Sequence, residues 1–255
     1  MSISYTIKIP TIHGDMLINR YDINQTNAII KTGAALDHQQ IDVAQKICRL
    51  SESESIMLDI GANFGSYALG CAQTLKAKKG SVHAFEGQRI LAYMLCGSTV
   101  LNSIENLFVH HACVGNAHEN IPIPCFDYNK TMNFGSIEFG DSQREKLDQQ
   151  RGLSHEVVQQ VRIDDFNFEK VCFVKIDVEG MESQVLAGAT QTIQRSLPVM
   201  QIEVLKSDLA SIITQIKEIS PDYIICQYGP CDILCLTEEV MAVLGLNKND
   251  MNVLG

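Results

Sequence analysis

Asp59, Glu86, Lys175, Asp177, Glu179 and Glu203 each stand in or just past the end of an apolar run, and they carry most of the chemistry this chain can offer. Asp59 closes Ile56-Met57-Leu58-Asp59-Ile60, and Gly61-Ala62-Asn63-Phe64-Gly65 follows before a helical pattern begins. A strand, an acid, a glycine turn and a helix are how an open α/β sheet builds a ligand site at the carboxyl end of a strand. Glycine lets backbone approach a ligand with no Cβ in the way, and the helix start offers free N–H donors to an anionic group. Gly61 and Gly65 stand four apart, with neither G-x-G-x-x-G nor G-K-[ST] around them. A pyrophosphate cradle is therefore the poorer reading, and a ligand with a small amino-acid end the better one. Glu86 ends Ser81-Val82-His83-Ala84-Phe85-Glu86, 27 positions after Asp59, where an acid can accept hydrogen bonds from both ribose hydroxyls. Strand alternation in Phe173-Val174-Lys175-Ile176-Asp177-Val178-Glu179 puts Lys175, Asp177 and Glu179 on one side. Plainer roles stand beside these: Glu179 or Glu182 as a helix cap, and Lys175 as an ion-pair partner of the acids.

These residues need a framework to bring them together, and the hydrophobic periods supply one. Strand-type runs at Ser55–Ile60, Ser81–Glu86, Leu107–Val114, Val171–Asp177 and Val199–Val204 alternate with helical patterns at Ser66–Lys79, Arg89–Leu101, Met181–Arg195 and Asp208–Ile219. Tyr223–Gln227 and Cys231–Leu236 flank Tyr228-Gly229-Pro230 as a closing hairpin. The alternation predicts an α/β fold, a doubly wound sheet with an antiparallel pair at one end. Two segments lie outside it. Residues 1–50 read as an N-terminal extension packed on the core, a hairpin around His13-Gly14-Asp15 and then a helix from Asp37, its N-cap, to Leu50. Residues 116–155, rich in Asn, Gln, Asp and Gly, read as a lid-like insertion into a domain spanning 51–255. Its aromatics, Phe126, Tyr128, Phe134 and Phe139, are suited either to stacking on a ligand or to anchoring the loop.

With 45% hydrophobic and 20% charged residues over 255 positions, the composition is that of an ordinary globular domain. A net charge of −10 argues against broad binding to nucleic acid or to an anionic membrane. Lys76-Ala77-Lys78-Lys79 is best read as cations at a helix end. Nine cysteines without a leader-type segment, and no run long enough to cross a bilayer, point to reduced thiols and a cytoplasmic location. Cys226, Cys231 and Cys235 lack the paired C-x2-C spacing of a zinc site and read as buried thiols.

Leu58-Asp59-Ile60-Gly61-Ala62-Asn63-Phe64-Gly65, Ala84-Phe85-Glu86, Phe173 to Glu182, Leu186-Ala187-Gly188-Ala189 and Ile202-Glu203 together resemble the FkbM family of S-adenosylmethionine-dependent methyltransferases, over about residues 55–205. The resemblance implies a Rossmann-like, seven-stranded sheet whose last strand is antiparallel, with S-adenosylmethionine as methyl donor. It also implies roles by position. Asp59, Gly61, Asn63 and Gly65 would surround the methionine and ribose portion, Glu86 the ribose hydroxyls, Ala112 and Cys113 the adenine, and Asp177 the reactive methyl. Asn133-Phe134-Gly135-Ser136 resembles a loop of the family that closes the cofactor or touches substrate, so Asn133 and Ser136, with Glu179, are expected on the acceptor side. Glu86-Gly87 departs from the Glu-Pro of many members, which loosens that turn. The family is associated with O-methylation of sugars and other hydroxylated molecules, so a small-molecule or glycan acceptor is expected. For such a reaction Asp177 is the first candidate base, followed by Glu203, His110 and His111, with Lys175 orienting Asp177. A metal-assisted route through Asp177 and Glu203 is chemically open, but no tight ligand spacing supports it and no metal is expected. A non-catalytic binding module on the same fold is the stronger rival. A nicotinamide oxidoreductase is the weaker one, lacking both G-x-G-x-x-G and Tyr-x-x-x-Lys. Oligomeric state is left open.

Overall fold

Successive residues of Ile56–Ile60 (β3) point to opposite faces of the sheet, and this alternation divides the interior into two apolar layers. The structure, a computed structural model, describes residues 4–135 and 154–254. Met57 faces a layer shared with Val82, Ala84 and Phe173, whereas Leu58 and Ile60 face one shared with Phe85, Val174 and Ile176. Both faces of the central strands are buried, so they read as nearly continuous apolar runs.

The chain begins with an antiparallel hairpin, Thr6–Thr11 (β1) and Gly14–Asn19 (β2), then two helices, Gln25–Thr32 (α1) and His38–Leu50 (α2). After β3 come Ser66–Lys76 (α3), Ser81–Glu86 (β4), Arg89–Leu101 (α4) and Leu107–His111 (β5). Cys113–Val114 (β6), Asn120–Pro124 (β7) and His155–Val161 (β8) form a separate three-stranded sheet in the order β6-β8-β7. Val171–Ile176 (β9), Glu182–Gly188 (α5), Thr190–Ser196 (α6), Val199–Glu203 (β10) and Leu209–Ile219 (α7) follow. Ile224–Gln227 (β11), Asp232–Leu236 (β12) and Glu238–Leu244 (α8) close the chain. The main sheet runs β11-β12-β10-β9-β3-β4-β5, with β12 running opposite to the other six strands. It is the expected Rossmann-like sheet. Side chains of α2, α3 and α4 fill one layer and those of α5, α6 and α7 the other.

Four details differ from the sequence expectation. The third strand stops at His111, and Cys113–Val114 leave to pair with β8, because apolar alternation continues through the bend and does not mark a change of partner. The helix expected over 181–195 breaks at Ala189. The second half is capped by Asp164, which accepts from the backbone N–H groups of Gln191 (3.2 Å) and Thr192 (2.9 Å). A cap from a remote segment leaves no local trace. Helix α1 was not anticipated, and Asp37 makes no cap hydrogen bond to α2. Its carboxylate instead accepts from Gln25 Nε2 at 3.2 Å.

The N-terminal segment is tied to the sheet domain by hydrogen bonds along its length, among them those to α4 and to the segment after β7. Leu17 N–H donates to Ser98 Oγ (2.9 Å) on α4, and Met132 exchanges backbone hydrogen bonds with Tyr21 and Ile23 (3.1 Å each). Within the described part of the insertion, Phe126, Met132 and Phe134 are buried in the main core, and Tyr128 stacks on Phe134 at 5.1 Å. These aromatics anchor the segment; Phe139 lies outside the described residues. All nine cysteines are free thiols, and among the described residues no helix is long and apolar enough to cross a membrane.

Candidate functional site

The carboxyl ends of β3, β4, β9 and β10 bring most of the chemistry-bearing residues to one edge. The turn after β3 carries three positive φ angles, at Gly61 (80°), Asn63 (52°) and Gly65 (86°). A Cβ on Gly61 would lie 1.8 Å from the Asp177 carbonyl oxygen, so only glycine permits this approach of two strand ends. Gly61 and Ala62 both donate to Phe85 O at 3.0 Å, which locks the turn against β4.

Asp59 is fully buried, and its Oδ2 accepts from Ala68 N–H (3.1 Å) in the first turn of α3. Part of the helix-end donor set expected for a ligand is therefore already used. Lys175 reaches the same point from β9, donating to Gly61 O at 2.7 Å and lying 3.2 Å from Asp177 and 3.6 Å from Asp59. Burial alone would lower its affinity for the proton, but Asp177, Asp59 and Asp37 hold the ammonium above its ordinary range. Burial raises Asp59 although Lys175 opposes it. Lys175 is thus a buried counter-ion that fixes two carboxylates.

Glu86 accepts from Asn63 N–H (2.8 Å) through one oxygen and from Gln88 N–H (2.7 Å) through the other. The second bond, with His111 Nε2 3.1 Å from Gly87 O, fastens the turn that Glu86-Gly87 was expected to loosen. Burial pushes the Glu86 carboxyl up to about 7, against the lowering effect of those two N–H donors. The buried group therefore takes up a proton far more readily than an exposed glutamate, and the stability gained from that proton is lost as pH rises through about 7. In the ligand-free protein, stability is expected to climb between pH 8 and pH 5 by up to about 1.4 kcal/mol per pH unit from this residue. Denaturant titrations checking this should show a shallower slope for Glu86→Gln, which cannot titrate; an unchanged slope excludes the assignment.

Two adjoining chambers open on this edge. The inner one is lined by Gly61, Asn63, Glu86, Ala112, Cys113 and Asp177, the expected cofactor set except Asp59 and Gly65, which do not line it. The outer one, about 200 Å³, is lined by Asn133, Lys175, Asp177, Glu179 and Glu203 among others. Asn63, Gly135, Asp177 and Glu179 border both. Asn63 Oδ1 is buried there with no hydrogen-bond partner among the described residues, an acceptor awaiting a donor. Ser136 lies outside the described residues. His110 and His111 border neither chamber, and His110 stacks on Phe85 at 4.5 Å. A wider groove, about 920 Å³, runs between Ile47, Lys170, Leu197 and Val240, away from these residues.

Tertiary folding brings Glu203 up to the Asp177 and Glu179 that strand alternation had put on one side. Asp177, Glu179 and Glu203 each place a carboxylate oxygen within 4.8 Å of the others. Burial, the charges of Asp177 and Glu179 and a hydrogen bond with Asp177 raise Glu203 to about 9, so it keeps its proton at neutral pH. Glu179, at φ 54°, pairs with Lys206 at 2.9 Å and caps no helix. Residues missed by the sequence reading are Gln88, whose buried amide donates to Phe134 O (2.7 Å) beside the inner chamber, and Gln25, Asp37, Gln40, Gln201 and Asp232 around the outer one. Gln201 and Asp232 sit in strands already recognised; the other outer residues are distant in sequence and carry no motif.

A family model of the methyltransferase FkbM domain matches residues 59–220, the stretch that holds the glycine turn and the acid at the end of β4. This chain belongs to the FkbM methyltransferase family. Among solved structures, an FkbM methyltransferase from Methylobacillus flagellatus KT is similar, with 22% identity and a TM-score of 0.51 over 72% of this chain and 43% of that one. This FkbM-family chain thus spans under half the length of that protein, and the likeness is one of fold. More distant in shape are precorrin-6y C5,15-methyltransferase from Geobacter metallireducens GS-15 (13% identity, TM-score 0.44, 78% of this chain and 86% of that one) and the Pyrococcus abyssi tRNA (uracil-54, C5)-methyltransferase in complex with S-adenosyl-L-homocysteine (14%, 0.44, 91% and 44%). No curated protein matches the chain.

Proposed function

We propose that the FkbM-family chain binds S-adenosylmethionine in the inner chamber and transfers its methyl group to a hydroxyl of a small molecule or glycan in the outer one. The observation that carries the reading is the pair of chambers meeting at Asp177, with a family-type donor site on one side and a polar cavity on the other. The inner residues suit that cofactor. Glu86 stands where ribose hydroxyls need an acceptor, its oxygens retaining lone pairs beyond the two N–H bonds. Asn63 Oδ1 offers a second buried acceptor, and Ala112, Cys113 and Val114 an apolar wall.

When bound, S-adenosylmethionine supplies a sulfonium methyl that an acceptor oxygen displaces in line, the C–S electrons returning to sulfur. The chain's own contribution is alignment and removal of the hydroxyl proton. Asp177, at the junction and held by Lys175, takes that proton. Protonated Glu203 is a hydrogen-bond donor at neutral pH, not a competing base. Lys175 is a positioning residue. The net charge of −10 disfavours nucleic acid as acceptor.

Calorimetry with S-adenosylmethionine tests the donor half, and a transfer screen across sugars, glycans and hydroxylated metabolites, read by S-adenosylhomocysteine release, tests the other. Binding that disappears in Glu86→Ala combined with Asp59→Ala is expected. Binding that survives both changes, or is absent from the unchanged protein, would sink the assignment. Donor binding with no transfer to any acceptor would favour a binding module instead.

A further inference from the structure

The outer chamber has a composition that narrows its occupant. Among the described residues five carboxyl groups line it, Asp37, Asp177, Glu179, Glu203 and Asp232, against one cation, Lys175. The available positive charge is already engaged. Lys175 serves Asp177 and Asp59, and Lys206, outside the lining, serves Glu179. Among the described residues, no ion pair reaches Asp37, Glu203 or Asp232.

Asp37 and Asp232 are held by amides, not by cations. Gln25 Nε2 donates to Asp37 at 3.2 Å, Gln40 Nε2 to one oxygen of Asp232 at 3.4 Å, and Gln201 Nε2 to the other at 3.3 Å. Gln201 is itself buried and held from behind by Tyr67 O–H (3.1 Å). Asp232 stands directly opposite Glu203 across the antiparallel β10–β12 pair, so a row of carboxyl groups leads from Asp177 at the donor side outward to the N-terminal helices. Burial pushes Asp37 and Asp232 upward; Lys175 and the Gln25 amide oppose it at Asp37, and at Asp232 the Gln201 amide opposes it while Asp177 and Asp37 add to it. A carboxylate keeps lone pairs free after one amide bond, so the row can accept from hydroxyls and from an ammonium. It cannot welcome a phosphate or carboxylate, which would meet like charges at short range.

We propose that Gln25, Asp37 and Gln40 of the N-terminal segment, with Gln201, Glu203 and Asp232 of the sheet, form the acceptor subsite, and that the acceptor is a hydroxylated molecule bearing a protonated amine. The proposal rests on the outer chamber being the acceptor side of a methyltransferase. It assigns the N-terminal segment a direct part in choosing the acceptor: Gln25 of α1, Asp37 just before α2 and Gln40 of α2 bring an acid and two amides to the cavity. The amine is bound by Asp37 and Asp232, and the hydroxyl to be methylated lies inward, towards Asp177.

Matched trios test this in the full chain: glucosamine, glucose and glucuronic acid, and the amino, hydroxy and carboxy forms of one cyclitol. Each is offered with S-adenosylmethionine at pH 7, with S-adenosylhomocysteine release as one readout. Saturation-transfer NMR on the S-adenosylhomocysteine-loaded protein is a second, so that a bound but unmethylated compound is still seen. The amine of a trio is expected to be captured roughly tenfold better than its neutral match, and the acid not at all. Asp232→Asn and Asp37→Asn should each narrow that gap while S-adenosylhomocysteine affinity stays put, and raised salt should narrow it too. Two separate variants guard against one that fails to fold. Equal or better capture of neutral or acidic members, a gap that neither substitution changes, or no capture of any amine overturns the proposal. If the unchanged protein fails to bind S-adenosylhomocysteine at all, the methyltransferase reading falls and takes this inference with it. Donor binding without amine preference removes only the inference.

Discussion

Replacing Lys175 by methionine is expected to cost about 3–5 kcal/mol of folding stability, the range for removing one partner of a buried ion pair. The side chain is only 8% exposed and is the shared counter-ion of Asp59 and Asp177. Asp177 is a third exposed and can turn to water, so the loss falls chiefly on Asp59, which is fully buried and has one oxygen with no hydrogen-bond partner. The ammonium also donates to Gly61 O, so its removal loosens the cofactor turn together with the pair. Urea unfolding measures the effect. A double change, Asp59→Asn with Lys175→Met, should recover part of the loss, because it removes the stranded charge. A loss under 1 kcal/mol, or no recovery in the double variant, would show that the lysine is not the counter-ion argued here.

The second large effect concerns turnover. Asp177→Asn is expected to lower methyl transfer by about 10²–10⁴-fold, the usual worth of a positioned base, with donor affinity nearly unchanged. Asparagine keeps the shape and loses the proton acceptor. Glu203, hydrogen-bonded to Asp177 in the unchanged protein, supplies a signature. Its proton is held partly by the charge of Asp177, so in the variant that proton leaves more readily, and activity should recover in part as pH rises, beginning below about 9. Turnover within about threefold of the parent at pH 7 would move the base elsewhere. Recovery absent at every pH would remove Glu203 from the proton path.

The order of strands and helices was legible because each core strand is buried on both faces and each helix on one stripe, so the periods of 2 and 3.6 survive in the residue order. The glycine turn was legible for a local reason as well: positive φ angles at Gly61 and Gly65 demand the residue that stands there. The third strand and the helix after Glu182 were misjudged at points where the deciding partner is remote, β8 for Cys113 and Asp164 for Thr192. Asp37 shows the same limit. Its position before α2 reads as a cap, yet its carboxylate turns to Gln25 and the outer chamber.

Residue order by itself determined the α/β framework, the turn after the first core strand, and acids at the ends of the strands that follow. Those are properties of single segments, set by backbone geometry and burial. Only the tertiary structure decided that Lys175 is a counter-ion, that Glu203 holds its proton beside Asp177, and that two N-terminal helices close an acidic chamber against β10 and β12. The physical reason is range. Charge, desolvation and cavity shape depend on distances across the folded chain, which no local pattern of residues encodes.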